Sequence, residues 1–144
     1  MIYSDKAKQF VAGLRAGIKG TIYEPAGMMI LSQWIYESGH FESKAASELN
    51  NAGGIQWRKG YQGPHEIVEY TDWENKTRKH FKLPCPTQFF DLWKWFITRD
   101  DRYDDATCVL PEDPQRFFWL LAYCGYVGSM DKPITSVFEF IQAQ

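Results

Sequence analysis

The residue best placed for chemistry in this sequence is Glu37, because of its position in an apolar helix pattern. Residues 31–40 read LSQWIYESGH, so the carboxylate falls in the last helical turn and Gly39 follows as the natural stop. The negative end of the helix dipole and the nearby rings of Trp34 and Phe41 disfavour an ionised carboxylate there. The alternative is an ordinary solvated glutamate, which the dipole would destabilise slightly. We predict that Glu37 keeps its proton and acts as a general acid.

A second group of carboxylates lies on a segment that reads as a β-hairpin: Glu66, Glu69, Asp72 and Glu74. Most of them fit ordinary surface charges. Cleavage of a glycosidic bond usually needs two carboxylates, one to protonate the leaving oxygen and one to activate water or to attack the sugar. With Glu37 as the first carboxylate, we expect the second on this hairpin.

The composition argues against several other kinds of chemistry. The three histidines lack the HExxH spacing, so the sequence predicts no metal site and no cofactor. The three cysteines form no CxxC pair, which favours free thiols in a reducing compartment and leaves one disulfide open. A net charge of −2 argues against a nucleic-acid partner. The histidines are His40, His65 and His80, and the cysteines are Cys85, Cys108 and Cys124.

The aromatic content is the unusual feature of the composition. Aromatic residues make up 17% of the chain, with 6 Trp, 8 Tyr and 10 Phe. One interpretation is an aromatic core, and the other is a groove whose rings stack on sugars or other flat apolar faces. The two interpretations are compatible.

No segment is typical of a targeting signal or a membrane span. The N-terminus, MIYSDK, lacks the basic and apolar regions of a secretory signal, and no run of about 18 apolar residues occurs. We expect the protein to be made in the cytoplasm and to need another route to any target outside it. A length of 144 residues predicts one domain, 1–144, and we expect a monomer.

The apolar spacing predicts the helices that hold Glu37. Ser4 or Asp5 can cap a first helix that ends at Gly20, and Pro25 suits the first turn of a second. The first helix has an apolar stripe of Phe10, Val11, Leu14 and Ile18. The second is apolar nearly all round, with Met28, Leu31, Trp34 and Ile35. We expect this second helix to be the buried central one.

The middle of the chain changes to turn and strand signals. Residues 50–54, NNAGG, are a turn signal, and strands are predicted at 55–57, 65–71 and 77–81. Helical periodicity then returns in three segments, which start near Thr87, Asp113 and Asp131. The outline is an α+β fold, mainly helical, with a small antiparallel β-hairpin lobe at about 52–82 that flanks a cleft.

Several of these segments resemble one enzyme family when they are taken together. Residues 33–39, QWIYESG, match Gln-x-x-x-Glu-Ser-Gly, and residues 50–56, NNAGGIQ, are similar to Asn-Asn-Leu-Phe-Gly-Ile-Lys. Weaker likenesses lie at 68–70, 77–82, 89–103 and 121–127. The combination resembles glycoside hydrolase family 73, the peptidoglycan-cleaving glucosaminidases of autolysins, flagellar rod-cap hydrolases and phage endolysins. The sequence departs from the pattern at His40, where the family has an aromatic residue, and at Ala52-Gly53.

The resemblance implies a lysozyme-like fold and assigns roles to particular residues. It implies that Glu37 is the general acid, that Glu69 is the acid of the β-lobe, and that Tyr126 positions the sugar or its N-acetyl group. Tyr126 is otherwise a core aromatic at a helix end. The implied substrate-binding residues are Asn50, Asn51, Trp57, Tyr61 and Tyr123. For the two asparagines the alternative is a purely structural role in the turn.

These observations lead to one expected function and two rivals. We expect a peptidoglycan hydrolase that cleaves the β-1,4 glycan backbone between N-acetylglucosamine and N-acetylmuramic acid, as a phage endolysin or virion-associated lysin, or as a bacterial effector. The rival enzyme is a lytic transglycosylase, which also uses one glutamate. The rival from another class is a non-catalytic glycan-binding or structural module.

Overall fold

A computed structural model of the protein describes residues 4–72 and 74–126. Within these residues the helices are α1 (Asp5–Ile18), α2 (Gly27–Ser38), α3 (Lys44–Leu49), α4 (Phe89–Thr98), α5 (Asp104–Thr107) and α6 (Pro114–Tyr123). Strands β1 (Glu66–Thr71) and β2 (Thr77–Lys82) form one antiparallel hairpin between α3 and α4. This order confirms the predicted α+β fold. The helix predicted near Asp131 lies outside the described residues.

Helix α2 is the helix that carries the acid, and it ends where the sequence predicts. Its Trp34 and Ile30 are buried, and Gly39 closes it in the left-handed conformation with φ 56°. The backbone N–H of His40 then donates to Ile35 O at 2.9 Å. The helix begins later than expected: Pro25, predicted in its first turn, lies in a short 3-10 turn before α2. Met28, one of the apolar residues on which the prediction of a buried helix was based, is 55% exposed.

The aromatic residues form most of the core beneath α2. The rings of Phe10 and Phe41 stack with centroids 4.8 Å apart, and Trp34 meets Phe89 edge to face at 4.7 Å. Trp93 of α4 lies beside Trp34 at 6.3 Å. Such pairs add to the stability that comes from burying their large apolar surfaces. They also fix the packing of α1 and α4 against the helix that holds Glu37.

The β-lobe is built on the turn that follows α3. Asn51 is fully buried, its Nδ2 donates to Ile55 O and Phe81 O at 3.0 Å each, and its Oδ1 accepts from Ile55 N at 2.9 Å. This one amide therefore ties the turn to β2. The hairpin register pairs Glu66 with Lys82 and Thr71 with Thr77.

The strand predicted at 55–57 is reduced to a single bridge between Gln56 and His80. Trp57 N still donates to Lys79 O at 2.9 Å, so the segment runs alongside β2. The two strands of the hairpin itself lie close to their predicted bounds.

The last described helix closes the helical part of the fold. Asp113 caps α6 by accepting a hydrogen bond from Arg116 N at 3.0 Å, and Pro114 occupies the first turn, as predicted. Gly125 follows with φ 96°. The chain turns there, and the backbone N–H of Tyr126 donates to Leu121 O at 3.1 Å. Among the described residues, none of the helices combines the length and the hydropathy needed to cross a membrane.

Candidate active site

A cleft of about 170 Å³ lies between the helical part of the fold and the turn after α3. Four parts of the chain meet there: the end of α2, the turn segment 53–58, α4, and the turn after α6. The residues that line it are Glu37, Gly53, Gly54, Ile55, Gln56, Arg58, Phe96 and Tyr126. Two of the three predicted catalytic residues, Glu37 and Tyr126, therefore lie together.

The carboxyl group of Glu37 is held in an apolar environment. Burial raises the pKa of Glu37 to about 8, and a hydrogen bond from Gln33 lowers it only in part. Gln33 lies one helical turn earlier, and its Nε2 donates to Oε1 at 3.4 Å. The other carboxyl oxygen, Oε2, is buried without a hydrogen-bond partner among the described residues. At neutral pH most molecules therefore carry a proton on Glu37.

The backbone of the turn comes unusually close to this acid. A Cβ atom added to Gly53 would lie 3.3 Å from Glu37 Oε2 and 3.2 Å from Phe89 Cζ. Glycine lets the main chain pass over the carboxyl group with nothing between them. A side chain there would press on Oε2, so the residue type at this position controls the geometry of the acid.

Tyr126 also lines the cleft, close to Glu37. Burial raises the pKa of its phenol well above the usual range, and the nearby Glu37 carboxylate raises it further. The indole N–H of Trp93 lowers the pKa of the phenol in part. The ring packs edge to face against Phe96 and Tyr103, with centroids 6.1 and 6.0 Å away. Tyr126 is thus a neutral, firmly packed phenol whose hydroxyl can donate or accept a hydrogen bond near the acid.

The predicted second acid, Glu69, lies elsewhere on the hairpin. It is exposed in the middle of β1, opposite Lys79. Gln56 lines the cleft and pairs with His80, whose partner on β1 is Val68. Because side chains alternate along a strand, Glu69 faces the other side of the hairpin from Gln56. Its role as the second acid stays a prediction.

The two asparagines of the turn have different surroundings. All the hydrogen bonds of the Asn51 amide go to the protein backbone. Asn50 has a positive φ of 55°, and its Nδ2 donates to Leu83 O at 2.8 Å. It lines a separate pocket on the hairpin side, together with His65 and Lys82. Both asparagines organise the turn, and contact with a substrate stays a prediction for each.

The three aromatic residues predicted as sugar platforms lie outside the cleft. Trp57 is partly buried against the core, and Tyr61 packs edge to face on Phe81 with centroids 5.7 Å apart. Tyr123 is 63% exposed on α6 and stacks on Trp119. Among the described residues, the aromatic ones that line the cleft are Phe96 and Tyr126.

The sequence reasoning missed several cleft residues. The contact between Gln33 and Glu37 follows from the i, i+4 spacing on a helix and could have been found. Gly53, Gln56 and Arg58 could not, because their position depends on how the turn folds back over α2. In residues 4–72 and 74–126, no group of three or more His, Cys, Asp or Glu side chains is arranged to hold a metal ion.

The chain and its fold are similar to known proteins. Residues 20–137 match the glucosaminidase family model, described as mannosyl-glycoprotein endo-β-N-acetylglucosaminidase. No curated protein sequence matches the chain. The fold is similar to the glycoside hydrolase domain of Salmonella typhimurium FlgJ, with a TM-score of 0.65 and 18% identity over 95% of this chain and 89% of that one. A C-terminally truncated form of the same domain gives 0.66 and 18% over 97% of both chains.

The family match spans most of the chain, and it includes Glu37, the turn that covers it, and Tyr126. The resemblance seen in the sequence is therefore confirmed: the chain belongs to the glucosaminidase family, glycoside hydrolase family 73, and is a glycoside hydrolase.

Proposed function

We propose that the enzyme cleaves the β-1,4 glycan backbone of bacterial peptidoglycan between N-acetylglucosamine and N-acetylmuramic acid. The observation that carries this proposal is the buried, protonated Glu37 at the wall of a cleft. The family match and the likeness to the FlgJ glycoside hydrolase domain support it.

In this mechanism Glu37 is the general acid. Its proton passes to the glycosidic oxygen as the bond to the anomeric carbon breaks and an oxocarbenium-like transition state forms. Positioned proton transfer of this kind contributes typically about 10²–10⁴-fold to the rate. Tyr126 lies next to the acid, and its neutral hydroxyl is suited to hold the sugar or its acetamido group.

The second half of the reaction has two candidate routes. In one, Glu69 activates water or stabilises the positive sugar, which requires the hairpin to bring its carboxylate to the cleft. In the other, the substrate's own acetamido oxygen attacks the anomeric carbon as the bond to the protonated glycosidic oxygen breaks, and water then opens the resulting oxazolinium ion to give the reducing sugar. Glu37 is the only carboxylate among the described residues that line the cleft, which favours the second route.

The same observation keeps a lytic transglycosylase as the second candidate function. A single acid can protonate the leaving oxygen, while the O6 hydroxyl of the muramic acid closes on its own anomeric carbon. The product then ends in a 1,6-anhydro sugar instead of a reducing sugar.

Mass spectrometry of a digest tests the proposal. Purified peptidoglycan is incubated with the enzyme, and the products are reduced with borohydride, which labels each new reducing end. Hydrolysis gives reduced N-acetylglucosamine or reduced muramic acid ends, and the labelled sugar identifies the bond that is cut. Anhydro ends would instead support transglycosylation, and binding without any cleavage would leave the non-catalytic module.

The biological setting we propose is lysis of a bacterial wall by a phage enzyme made in the cytoplasm. Cys85, Cys108 and Cys124 are free in the structure, in keeping with folding in a reducing compartment. Expression in bacteria with and without a holin tests this setting. Clearing of the culture only when the holin is present would support it, and clearing without a holin would contradict it.

A further inference from the structure

One cleft residue has no role in the proton transfer, namely Arg58. It is the only cation among the described residues that line the cleft, and it lies on the turn wall with Gln56. The chain as a whole is slightly acidic, with a net charge of −2. The presence of a cation in the cleft of an acidic protein therefore needs a functional explanation.

The guanidinium group is held in a defined place. Trp57, the preceding residue, is fixed to β2 by its backbone hydrogen bond to Lys79 O at 2.9 Å. Arg58 Nη1 then donates to the carbonyl oxygen of Trp57 at 3.0 Å. The remaining N–H groups of the exposed guanidinium are free to meet a ligand.

No carboxylate in the described part of the chain neutralises this cation. The ion pairs found there join Lys76 to Glu74, Lys82 to Glu66, and Arg99 to Asp100. Arg58 does not compensate the acid either, since burial and Gln33 account for the shifted pKa of Glu37. The positive charge of Arg58 therefore has no partner among the described residues of the protein.

The substrate proposed above carries the complementary charge on only one of its two sugars. N-acetylglucosamine is neutral, whereas N-acetylmuramic acid has a lactyl group on O3. The lactyl carboxyl is either free or extended by a peptide with carboxylates of its own. One isolated cation matches one acidic substituent per disaccharide, and a planar guanidinium pairs well with a carboxylate.

We propose that Arg58 forms a subsite for the carboxylate borne by the O3 substituent of N-acetylmuramic acid. The inference rests on the proposed function. With the acidic sugar bound to Arg58, the glycan strand lies across Glu37 in one direction only. Arg58 then helps to decide which of the two alternating bonds reaches the acid.

Three matched substrates test this subsite. The first is intact peptidoglycan, the second is glycan strands freed of peptide with open lactyl carboxylates, and the third is the same strands with those carboxylates methyl-esterified. The variants are Arg58→Gln and, as a control, Lys59→Gln, which removes the same charge from the next exposed residue outside the cleft. The quantity measured is kcat/KM.

We expect Arg58→Gln to lower kcat/KM by roughly tenfold on a substrate that carries the recognised carboxylate, and to leave the esterified strands almost unaffected. A loss on open strands identifies the lactyl carboxylate, and a loss confined to intact peptidoglycan identifies a peptide carboxylate. Lys59→Gln should match the wild type on all three substrates.

Two results would overturn the subsite. One is an equal loss on charged and esterified strands, and the other is an equal loss in Lys59→Gln. Both leave the proposed function standing, because the wild-type enzyme still cleaves. If the wild-type enzyme cleaves none of the substrates, the proposed function is wrong and the subsite falls with it.

Discussion

The two oxygens of Glu37 have different surroundings, and this difference defines the acid. Oε1 accepts a hydrogen bond from Gln33, whereas Oε2 is buried without a partner in the described structure and faces Gly53. The proton therefore belongs on Oε2, the oxygen that faces the turn. An acid in such a place is poised for transfer because no other group in the described part of the protein holds its proton.

The first prediction at this scale concerns the pH dependence of activity. The pKa of Glu37 is raised to about 8, so the active, protonated form is present below that pH and is lost above it. We expect kcat/KM on purified peptidoglycan to fall tenfold per pH unit above about pH 8. Initial rates of reducing-sugar release across the pH range measure this limb. An alkaline limb near pH 4.5, the usual value for the group, would contradict the account.

The second prediction concerns the free energy of unfolding. Because the folded pKa lies above the unfolded one, the folded state binds more protons, and stability falls as pH rises between about 4.5 and 8. Glu37→Gln removes this penalty. We expect the variant to match the wild type near pH 4 and to exceed it by on the order of 2–3 kcal/mol at pH 7.

Urea unfolding of both proteins at several pH values measures this gap. Glu42→Gln, which changes an exposed glutamate beyond the same helix, is the control and should show no such trend. A gap between Glu37→Gln and the wild type that stays constant with pH would mean that the pKa of Glu37 is the same in the folded and unfolded states, and would contradict the account.

At the scale of elements, the turn between α3 and β1 is as important as the helix that carries the acid. Asn51 fixes its course through three internal hydrogen bonds, and Gly53 then passes over Glu37. The helix end supplies the acid, and the turn passes over it and helps to bury it. Neither element has this effect alone.

The third prediction tests the turn by adding one methyl group. In Gly53→Ala the new Cβ meets Phe89, a fully buried ring, and Glu37 Oε2, so the carboxyl group has to give way. We expect about 1 kcal/mol of lost stability and a fall in kcat of roughly tenfold or more, with KM little changed. Steady-state kinetics and thermal unfolding measure the two effects.

Gly27→Ala is the matched control for this variant. It adds the same methyl group at the start of α2, against the flexible end of Ile18 and away from the cleft. Its kcat should equal that of the wild type. An unchanged kcat in Gly53→Ala would show that the close approach of the turn has no influence on the acid.

At the scale of the whole molecule, the helical part and the turn after α3, which leads into the hairpin, face each other across the cleft. The hairpin carries the remaining candidate acids, and Glu69 points to the side away from Gln56. A role for Glu69 therefore requires the hairpin to move or twist when the substrate binds. The acetamido route requires no such movement.

The fourth prediction tests Glu69 against a neighbour on the same hairpin. If Glu69 is the second acid, we expect Glu69→Gln to lower kcat by about 10²-fold, the low end for such groups. On the acetamido route, which the lining of the cleft favours, we expect kcat to stay at the wild-type value. Glu74→Gln, in the turn of the hairpin, should leave kcat unchanged. Wild-type turnover in Glu69→Gln would move the second acid to Glu66 or Asp72, or assign the second step to the acetamido group of the substrate.

The local features of this fold could be predicted from the sequence. Gly39 ends α2, Asp113 caps α6, and the hairpin strands follow from alternation and turn residues. These features depend on a few neighbouring residues. The position of Glu37 at a helix end was therefore predictable, and its raised pKa was predicted with the right sign.

The features that depend on distant packing could not be predicted in the same way. Trp57 and Tyr61 are aromatic residues of the kind that stack on sugars, but their side chains pack against the aromatic core. Phe96 is part of an apolar helix pattern, yet it reaches the cleft. Only the folded chain shows which aromatic residues are left at the surface of the cleft, and only the folded chain brings Arg58 beside them.

The central claim is that Glu37 donates the proton that breaks the glycosidic bond, and one variant tests it most directly. Turnover of purified peptidoglycan is compared between the wild type, Glu37→Gln and the control Glu42→Gln, with folding of each confirmed by thermal unfolding. Because Gln has the shape of the protonated acid and no proton to give, we expect a folded protein with at least about 10²-fold lower kcat. Glu42→Gln should keep full activity. Wild-type turnover by a folded Glu37→Gln variant would contradict the account.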